Sequence, residues 1–371
     1  MKNFQASEAK QLRSLRERYM RNGMQKIAVL FAVLALVLSA CGANNNTRTN
    51  SAVSSENGSS TSADKETASD GKKLKIVTTI YPMLEFSRQV AGDYADVVGL
   101  IPAGTEPHDW EPSPKDIAQI KEADVFIYNG IVEEWVEKAL DSAKNDRRVV
   151  VEASRNLELM EGNAHSHDHD GEDHDHDHGS EDHDHGSEDH DHESDDHGLD
   201  PHVWLSPLLA QKQVEAIQIA LETADPANAE HFKENAGAYI AKLQQLDQTF
   251  IAGLKDVKNK TFVTQHAAFG YLAKQYGLKQ ISISGISPDQ EPSPAKMAEI
   301  VKLAKDNNIS TIFFETLVDP KVAQTIANEI GARTDILNPL EGLTAEEQQK
   351  NLDYISVMRN NLDALQKALN E

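Results

Sequence analysis

Cysteine occurs once in the 371 residues, at position 41. One cysteine cannot close an internal disulfide, and it removes thiolate zinc sites and iron–sulfur clusters from consideration. Aromatic residues make up only 6% of the chain, so a core has to be built from Ile, Leu, Val and Ala, which recur through the second half. No apolar run reaches the ~20 residues of a membrane-spanning helix. The chain contains no GxxxxGK[ST] phosphate loop and no HExxH or comparable catalytic spacing, which excludes P-loop nucleotide hydrolysis and the commonest metalloprotease arrangement. Positive charge is also short, with 36 Lys and Arg against 60 Asp and Glu and a net charge of −24. That balance argues against nucleic acid as a partner.

The acid is not spread evenly. Between Asn163 and Gly198 stand fifteen Asp or Glu, eleven His and no Lys or Arg, so this segment carries −15 and leaves −9 for the rest. Near the N-terminus, Arg21 and Lys26 precede the apolar run Ile27 to Leu38, and small residues then lead to Cys41. A basic stretch, a short apolar core and small residues form a secretion signal. The terminal LSAC resembles a lipobox, the bacterial lipoprotein signal, in which the cysteine is acylated; this implies lipidation at Cys41 and a tether to the outer face of a membrane. Residues 1–23 are polar and precede a second methionine, Met24; the expectation is that translation starts there. After Cys41, a Ser-, Thr-, Asn- and Gly-rich stretch cannot bury enough surface to fold and reads as a flexible tether.

Folded sequence starts at Leu74. Short β-branched runs (LKIVT, ADVVGLI, DVFIYNG, RRVVVEAS) alternate with helical segments (MLEFSRQVAG, SPKDIAQIKEA, VEEWVEKALDSA), which predicts a parallel sheet wrapped by helices. From Asp225, apolar residues Phe232, Tyr239, Leu243, Leu246 and Phe250 recur at helical spacing; this predicts one helix of roughly 28 residues, about 42 Å long. The alternation then restarts from KTFVTQH and ends in a helix expected over Ala345 to Asn370. The fold class expected is α/β, two similar parallel-sheet lobes joined by one long helix. The organisation expected is an extension and signal over 1–40, a tether over 41–73, a first lobe over 74–205 with a loop at 163–198, connecting helices over 206–257, and a second lobe over 258–371. Two such lobes leave a cleft at the carboxyl ends of their strands.

Four of the fifteen histidines lie outside the acidic segment. His108 follows the second strand, His202 follows the acidic segment, and His266 ends the strand KTFVTQH, which places them toward the cleft. His231 falls on the exposed face of the long helix and reads as a surface residue. The surroundings of the first three carry a resemblance. PHDWEPSP, DPHVWLSP directly after a His/Asp-rich insertion, FVTQHAAFGYLAKQYGL, SGISPDQEPSPAKM and LNPLEGLT occur in that order behind the lipobox. Together they are similar to the zinc-uptake branch of the metal-binding (cluster A-I) solute-binding lipoproteins of ABC transporters. The resemblance covers essentially residues 74–371.

The resemblance implies two α/β lobes joined by a rigid helix with one metal ion in the interlobe cleft, held by His108, His202, His266 and a carboxylate of the second lobe. Where many members carry an aspartate ligand in LDPL, this chain has Asn338, and a neutral amide is a poor zinc ligand. Glu341 then matches the carboxylate of members with LEGL. Glu315, at the end of STIFFE, is the other candidate, as fourth ligand or as a group orienting a histidine from behind. Three imidazoles and a carboxylate suit tetrahedral zinc, whereas manganese and magnesium favour more oxygen donors; copper(II) and nickel stay open by ligand type. The partners implied are a permease and its ATPase subunit, with a monomeric, non-catalytic protein outside the cytoplasm and no nucleic acid.

The acidic segment, with His165, His167, His169, His174, His176, His178, His183, His185, His190, His192 and His197, is low in complexity and packs no core. Its alternating His and Asp suit weak, multi-site metal collection that fades as imidazoles protonate near pH ~6.5. Trp110 and Trp204 flank motif histidines and read as lobe-interface packing. Pro112, Pro114, Pro292 and Pro294 lie in two EPSP turns, one per lobe. Two other functions stay open at this level: a zinc hydrolase, with Glu315 as base if Glu341 does not coordinate, and a metal-buffering or adhesin-like surface lipoprotein.

Overall fold

The structure is a computed structural model, and it describes residues 73–162, 198–289 and 292–371. Cys41, the tether and the eleven loop histidines lie outside the described residues.

The first sheet contains β1 (Leu74–Thr78), β2 (Ala95–Gly99), β3 (Val125–Tyr128) and β4 (Val149–Glu152), all parallel, in the order β2-β1-β3-β4. The central strands β1 and β3 are nearly continuous runs of β-branched and aromatic residues because helices cover both faces. Those helices are α1 (Tyr81–Ala91), α2 (Pro114–Glu122) and α3 (Val136–Ser142). Helix α2 starts where its sequence says it should. Ser113 caps it in a reciprocal box with Asp116, and Pro114 occupies the first turn, where no backbone donor is needed. In α1 the buried face is Met83, Phe86 and Val90, and Leu84 is only half-buried, packed near Gly99.

The second sheet repeats the plan with β5 (Thr261–Thr264), β6 (Lys279–Ser282), β7 (Thr311–Phe314) and β8 (Arg333–Ile336), parallel and ordered β6-β5-β7-β8. Its helices are α6 (Gly270–Tyr276), α7 (Pro294–Asp306) and α8 (Lys321–Ile330). In each sheet the chain steps outward from the first strand and then returns past it. The reversal therefore lies between β1 and β3 in one lobe and between β5 and β7 in the other, where ligand crevices form in open α/β sheets.

Between the lobes run α4 (Pro207–Ala224) and α5 (Ala229–Leu254). Helix α5 has 26 residues, slightly fewer than expected, because Pro226–Asn228 is a separate 3-10 turn. Its residues Phe232, Ala236, Tyr239, Leu243, Leu246, Phe250 and Leu254 are all buried. They pack on α1 and α4 at one end and on the closing helix at the other, so one apolar cluster runs from Ile76 in the first lobe to Phe313 in the second. The closing helix is not continuous as expected. It breaks into α9 (Ala345–Gln349) and α10 (Tyr354–Asn370). Asn351 takes a left-handed conformation, φ 53°, and Asp353 starts a new helix by accepting the Ser356 N–H at 2.7 Å.

Candidate metal centre

His108 lies on the segment between β2 and α2, His202 directly precedes a 3-10 turn (Val203–Leu205), His266 stands two residues beyond β5, and Glu341 five beyond β8. Every one of these positions follows the carboxyl end of a strand or the returning insertion, so all four side chains reach the same crevice. Their donor atoms all lie within 4.8 Å of one another. Glu341 Oε1 is 3.1 Å from His108 Nε2, 3.0 Å from His202 Nε2 and 3.4 Å from His266 Nε2. The Nε2 atoms of His202 and His266 are 3.3 Å apart. His202, His266 and Glu341 are almost wholly buried, whereas the His108 side chain retains 10% exposure.

The two buried rings are oriented from behind. His202 Nδ1 bonds Asp200 Oδ1 at 2.7 Å, and the same oxygen accepts the His202 backbone N–H at 2.9 Å. His266 Nδ1 bonds Glu315 Oε1 at 2.5 Å, and that oxygen accepts the His266 N–H at 3.2 Å. A carboxylate at Nδ1 holds the proton there and leaves the Nε2 lone pair for the centre. Glu315 thus stands behind His266, and Glu341 is the carboxylate among the imidazoles. Asp200 was not singled out in the sequence; the DPH triplet, an Asp able to reach back to the His two residues on, was its only signal.

The loop carrying Glu341 is itself built by a neighbour. Asn338 does not face the three histidines. Its Oδ1 accepts the Leu340 N–H at 2.7 Å, and its Nδ2 donates to the Thr316 hydroxyl at 3.2 Å and to Glu347 at 2.8 Å. Leu340 is buried with φ 60°, a left-handed conformation that costs a branched side chain ~1–2 kcal/mol. The Tyr81 N–H donates to the Glu341 carbonyl at 3.1 Å, and the Trp204 indole N–H to the Pro339 carbonyl at 2.7 Å. Both bonds cross from the first lobe to the second. Trp204 is fully buried, and its ring lies 5.3 Å from that of His202, so it joins the lobes and walls the centre at once. Trp110 packs on Trp135 instead. Beside His108 a cleft of about 700 Å³ opens, lined by Trp110, Trp135, Asp109 and Ile286 among others. His231 is exposed, as expected, and stacks on Tyr94 at 4.4 Å.

The electrostatics are those of a compact cation trap. Burial pushes the Glu341 carboxyl up, but the His266 charge and hydrogen bonds from all three histidines hold it well below the usual carboxylate range. Burial opposes charging His202 and His266, yet their carboxylate partners outweigh it and raise both, His266 strongly. Glu106, which accepts the His108 backbone N–H at 3.0 Å, is pushed up to about 8 by burial and by the Glu341 charge. Three nitrogens and one oxygen in this geometry can close a tetrahedral shell around one divalent cation, with ~2.0–2.2 Å bonds after small contraction.

Among the described residues no helix is long and apolar enough to cross a membrane. The family model for the periplasmic component A of the zinc-uptake complex, ZnuA, matches residues 76–368. The high-affinity zinc uptake system protein ZnuA of Bacillus subtilis (strain 168) is 50% identical over 302 residues, 81% of this chain and 89% of its own. The zinc-binding lipoprotein AdcA of Streptococcus pneumoniae (strain ATCC BAA-255 / R6) is 45% identical over 353 residues, 94% of this chain, which spans 62% of AdcA's length. The crystal structure of Zn(II)-bound AdcA matches with a TM-score of 0.65 at 44% identity, over 81% of this chain and 58% of that one. The laminin-binding protein Lmb of Streptococcus agalactiae, described as having adhesin and metal-transporting activity, gives a TM-score of 0.66 at 34% identity, over 80% of this chain and 100% of its own. With two parallel-sheet lobes, a buried three-histidine, one-carboxylate cluster in their crevice and a family match over most of its length, this chain belongs to the ZnuA family of zinc-uptake solute-binding proteins.

Proposed function

We propose that the chain is the zinc-binding component of an ABC importer, taking up one Zn2+ outside the cytoplasm and passing it to a permease driven by a separate ATPase subunit. The observation that carries this reading is the convergence of His108, His202, His266 and Glu341 within 4.8 Å. Their donor set matches zinc better than harder cations. The cluster supplies four protein donors, whereas a catalytic zinc keeps one position open for water; this favours carriage over hydrolysis. Acylation at Cys41 would tether the protein to the outer face of the membrane, and the tether would give it reach. The protein acts as a monomer, and the histidines of the acidic segment collect zinc weakly. Names carried by the relatives, zinc uptake and zinc-binding lipoprotein, support the same reading.

The test is chelator competition for zinc and manganese on the full chain and on its His202→Ala variant. One tight zinc site, barely displaced by manganese and lost in the variant, supports the proposal. Preferential manganese binding, or tight zinc surviving His202→Ala, would overturn it. A second reading, adhesion at the cell surface, is supported by the likeness to Lmb; direct binding of the chain to immobilised laminin is its test.

A further inference from the structure

The segment Phe269–Tyr271, at the start of α6, has no part in the donor set, yet it meets the first lobe beside the centre. The Tyr271 hydroxyl donates to the Asp200 carbonyl at 2.9 Å and accepts the Met160 N–H at 2.8 Å. Met160 and Asp200 are the two feet of the His/Asp-rich insertion. They pair through the Asp200 N–H to the Met160 carbonyl at 2.8 Å, the Gly162 N–H to the Gly198 carbonyl at 2.7 Å, and the bridge between Glu161 and Leu199. Next to Tyr271, a Cβ on Gly270 would lie 2.8 Å from Asp200 Oδ2. That backbone therefore runs so close to the other oxygen of the carboxylate that holds His202 that no side chain fits between them. Burial pushes the Tyr271 hydroxyl up to about 12, so it stays a donor at any working pH.

We infer that Tyr271 is a positioning residue for the metal centre: from the second lobe it pins both feet of the insertion, fixes Asp200, and so sets the orientation of His202. The physical need is plain. Met160 and Asp200 stand far apart in the chain, so bringing them together costs entropy that grows with the separation; among the described residues the first lobe opposes this with the two-rung ladder and with the Asn129 amide, which donates to the Pro201 carbonyl at 3.0 Å. The hydroxyl adds a bond to each foot from a rigid element. It also makes the seating of one lobe on the other a condition for His202 to point correctly.

The inference rests on the zinc-site reading for its consequence but not for its geometry, and the experiment separates the two. In the metal-free full chain, nitrogen NMR of the histidine rings reads the His202 tautomer directly. We expect Nδ1 to carry a proton in every molecule, because Asp200 accepts from it, whatever the state of Nε2 beside Glu341, and rings lacking the Nδ1 proton to appear in Tyr271→Phe and in Gly270→Ala. In chelator competition, Tyr271→Phe, which removes both bonds, should weaken zinc about fivefold, since only the bond to Asp200 bears directly on His202 and one hydrogen bond is of that size. Asp200→Asn should weaken it about tenfold or more. Adding Tyr271→Phe to Asp200→Asn should then cost little further, because both act through one group. Tyr271→Phe that lowers only thermal stability, with the His202 tautomer and zinc affinity unchanged, or whose effect adds in full to Asp200→Asn, overturns the inference. Absence of tight zinc in the unsubstituted chain would sink the zinc-site reading instead, and leaves the tautomer experiment to decide this one.

Discussion

His202 and His266 each present Nε2 to the same carboxylate oxygen of Glu341 while a second carboxylate takes Nδ1. Each is fully buried, so replacing either by Ala removes a donor and leaves a buried acid without its partner. We expect His266→Ala to abolish the tight zinc site and Glu341→Ala to weaken it while keeping the three imidazoles; chelator competition on each variant measures both, and equal losses would contradict this ranking. Acidity acts on the same groups. Both histidines have pKa values raised above the free imidazole. Their charged form therefore stabilises the metal-free fold at pH below the unfolded value of ~6.5, and this contribution fades as pH rises through the raised folded values. Zinc must displace those protons, so its affinity moves the opposite way and grows with pH. The rise in melting temperature on adding zinc should be smaller near pH ~5.5 than near ~7.5; a rise independent of pH would show that these rings do not compete with protons for the metal. The three histidines could be picked out in the sequence because each sits in a compact motif just past a strand or the insertion, whereas Glu341 came only from the resemblance, with Glu315 as the other candidate. Asp200 could not, since an aspartate in a loop carries no periodicity and its role depends on where the next imidazole turns.

At the scale of elements, termination governs more than propensity. The EPSP stretches, read from the sequence as turns, start α2 and α7 through the caps Ser113 and Ser293, each followed by proline. The break between α9 and α10 was not, because Lys350 to Asp353 contains no Gly or Pro to announce it, and Asn351 is tolerated in a left-handed turn. The Glu341 loop shows the same limit. Asn338 reads as a weakened ligand, yet it serves as the brace that holds the left-handed Leu340 and links to Asn361, whose Oδ1 accepts the Asn338 N–H at 2.9 Å. Asn338→Ala removes the partner of the buried Leu340 N–H and one of the bonds to Glu347, whose other oxygen stays with Thr344, at a cost of about 1–3 kcal/mol. We expect lower stability to chemical denaturation and a weaker zinc site although no donor is removed. Unchanged zinc affinity in a measurably destabilised variant would show that Glu341 is placed independently of this brace.

For the whole molecule, α5 decides how the lobes behave. Its buried face contributes to a cluster that includes strands of both sheets, and interlobe bonds from Trp204, Tyr354 and Tyr81 close over it. Leu243 is fully buried in the middle of this helix. Leu243→Ala should cost about 2–5 kcal/mol and shift one cooperative unfolding transition; two separated transitions in calorimetry would mean that the lobes unfold independently. Zinc at 100-fold above its dissociation constant should add about 2.7 kcal/mol to that same transition.

The alternation of strands and helices, the long amphipathic helix and the three motif histidines follow from the order of residues alone. Periodicity is a local property, and a histidine past a strand end is carried to the crevice by topology. The convergence of donors from two lobes within 4.8 Å, the choice of Glu341 over Glu315 for the centre, and the grip of Tyr271 on Asp200 were decided only in three dimensions. Each depends on how one lobe seats on the other, and that seating comes from packing between segments far apart in the chain, such as those of His108 and Glu341, 233 residues apart, which no local pattern encodes.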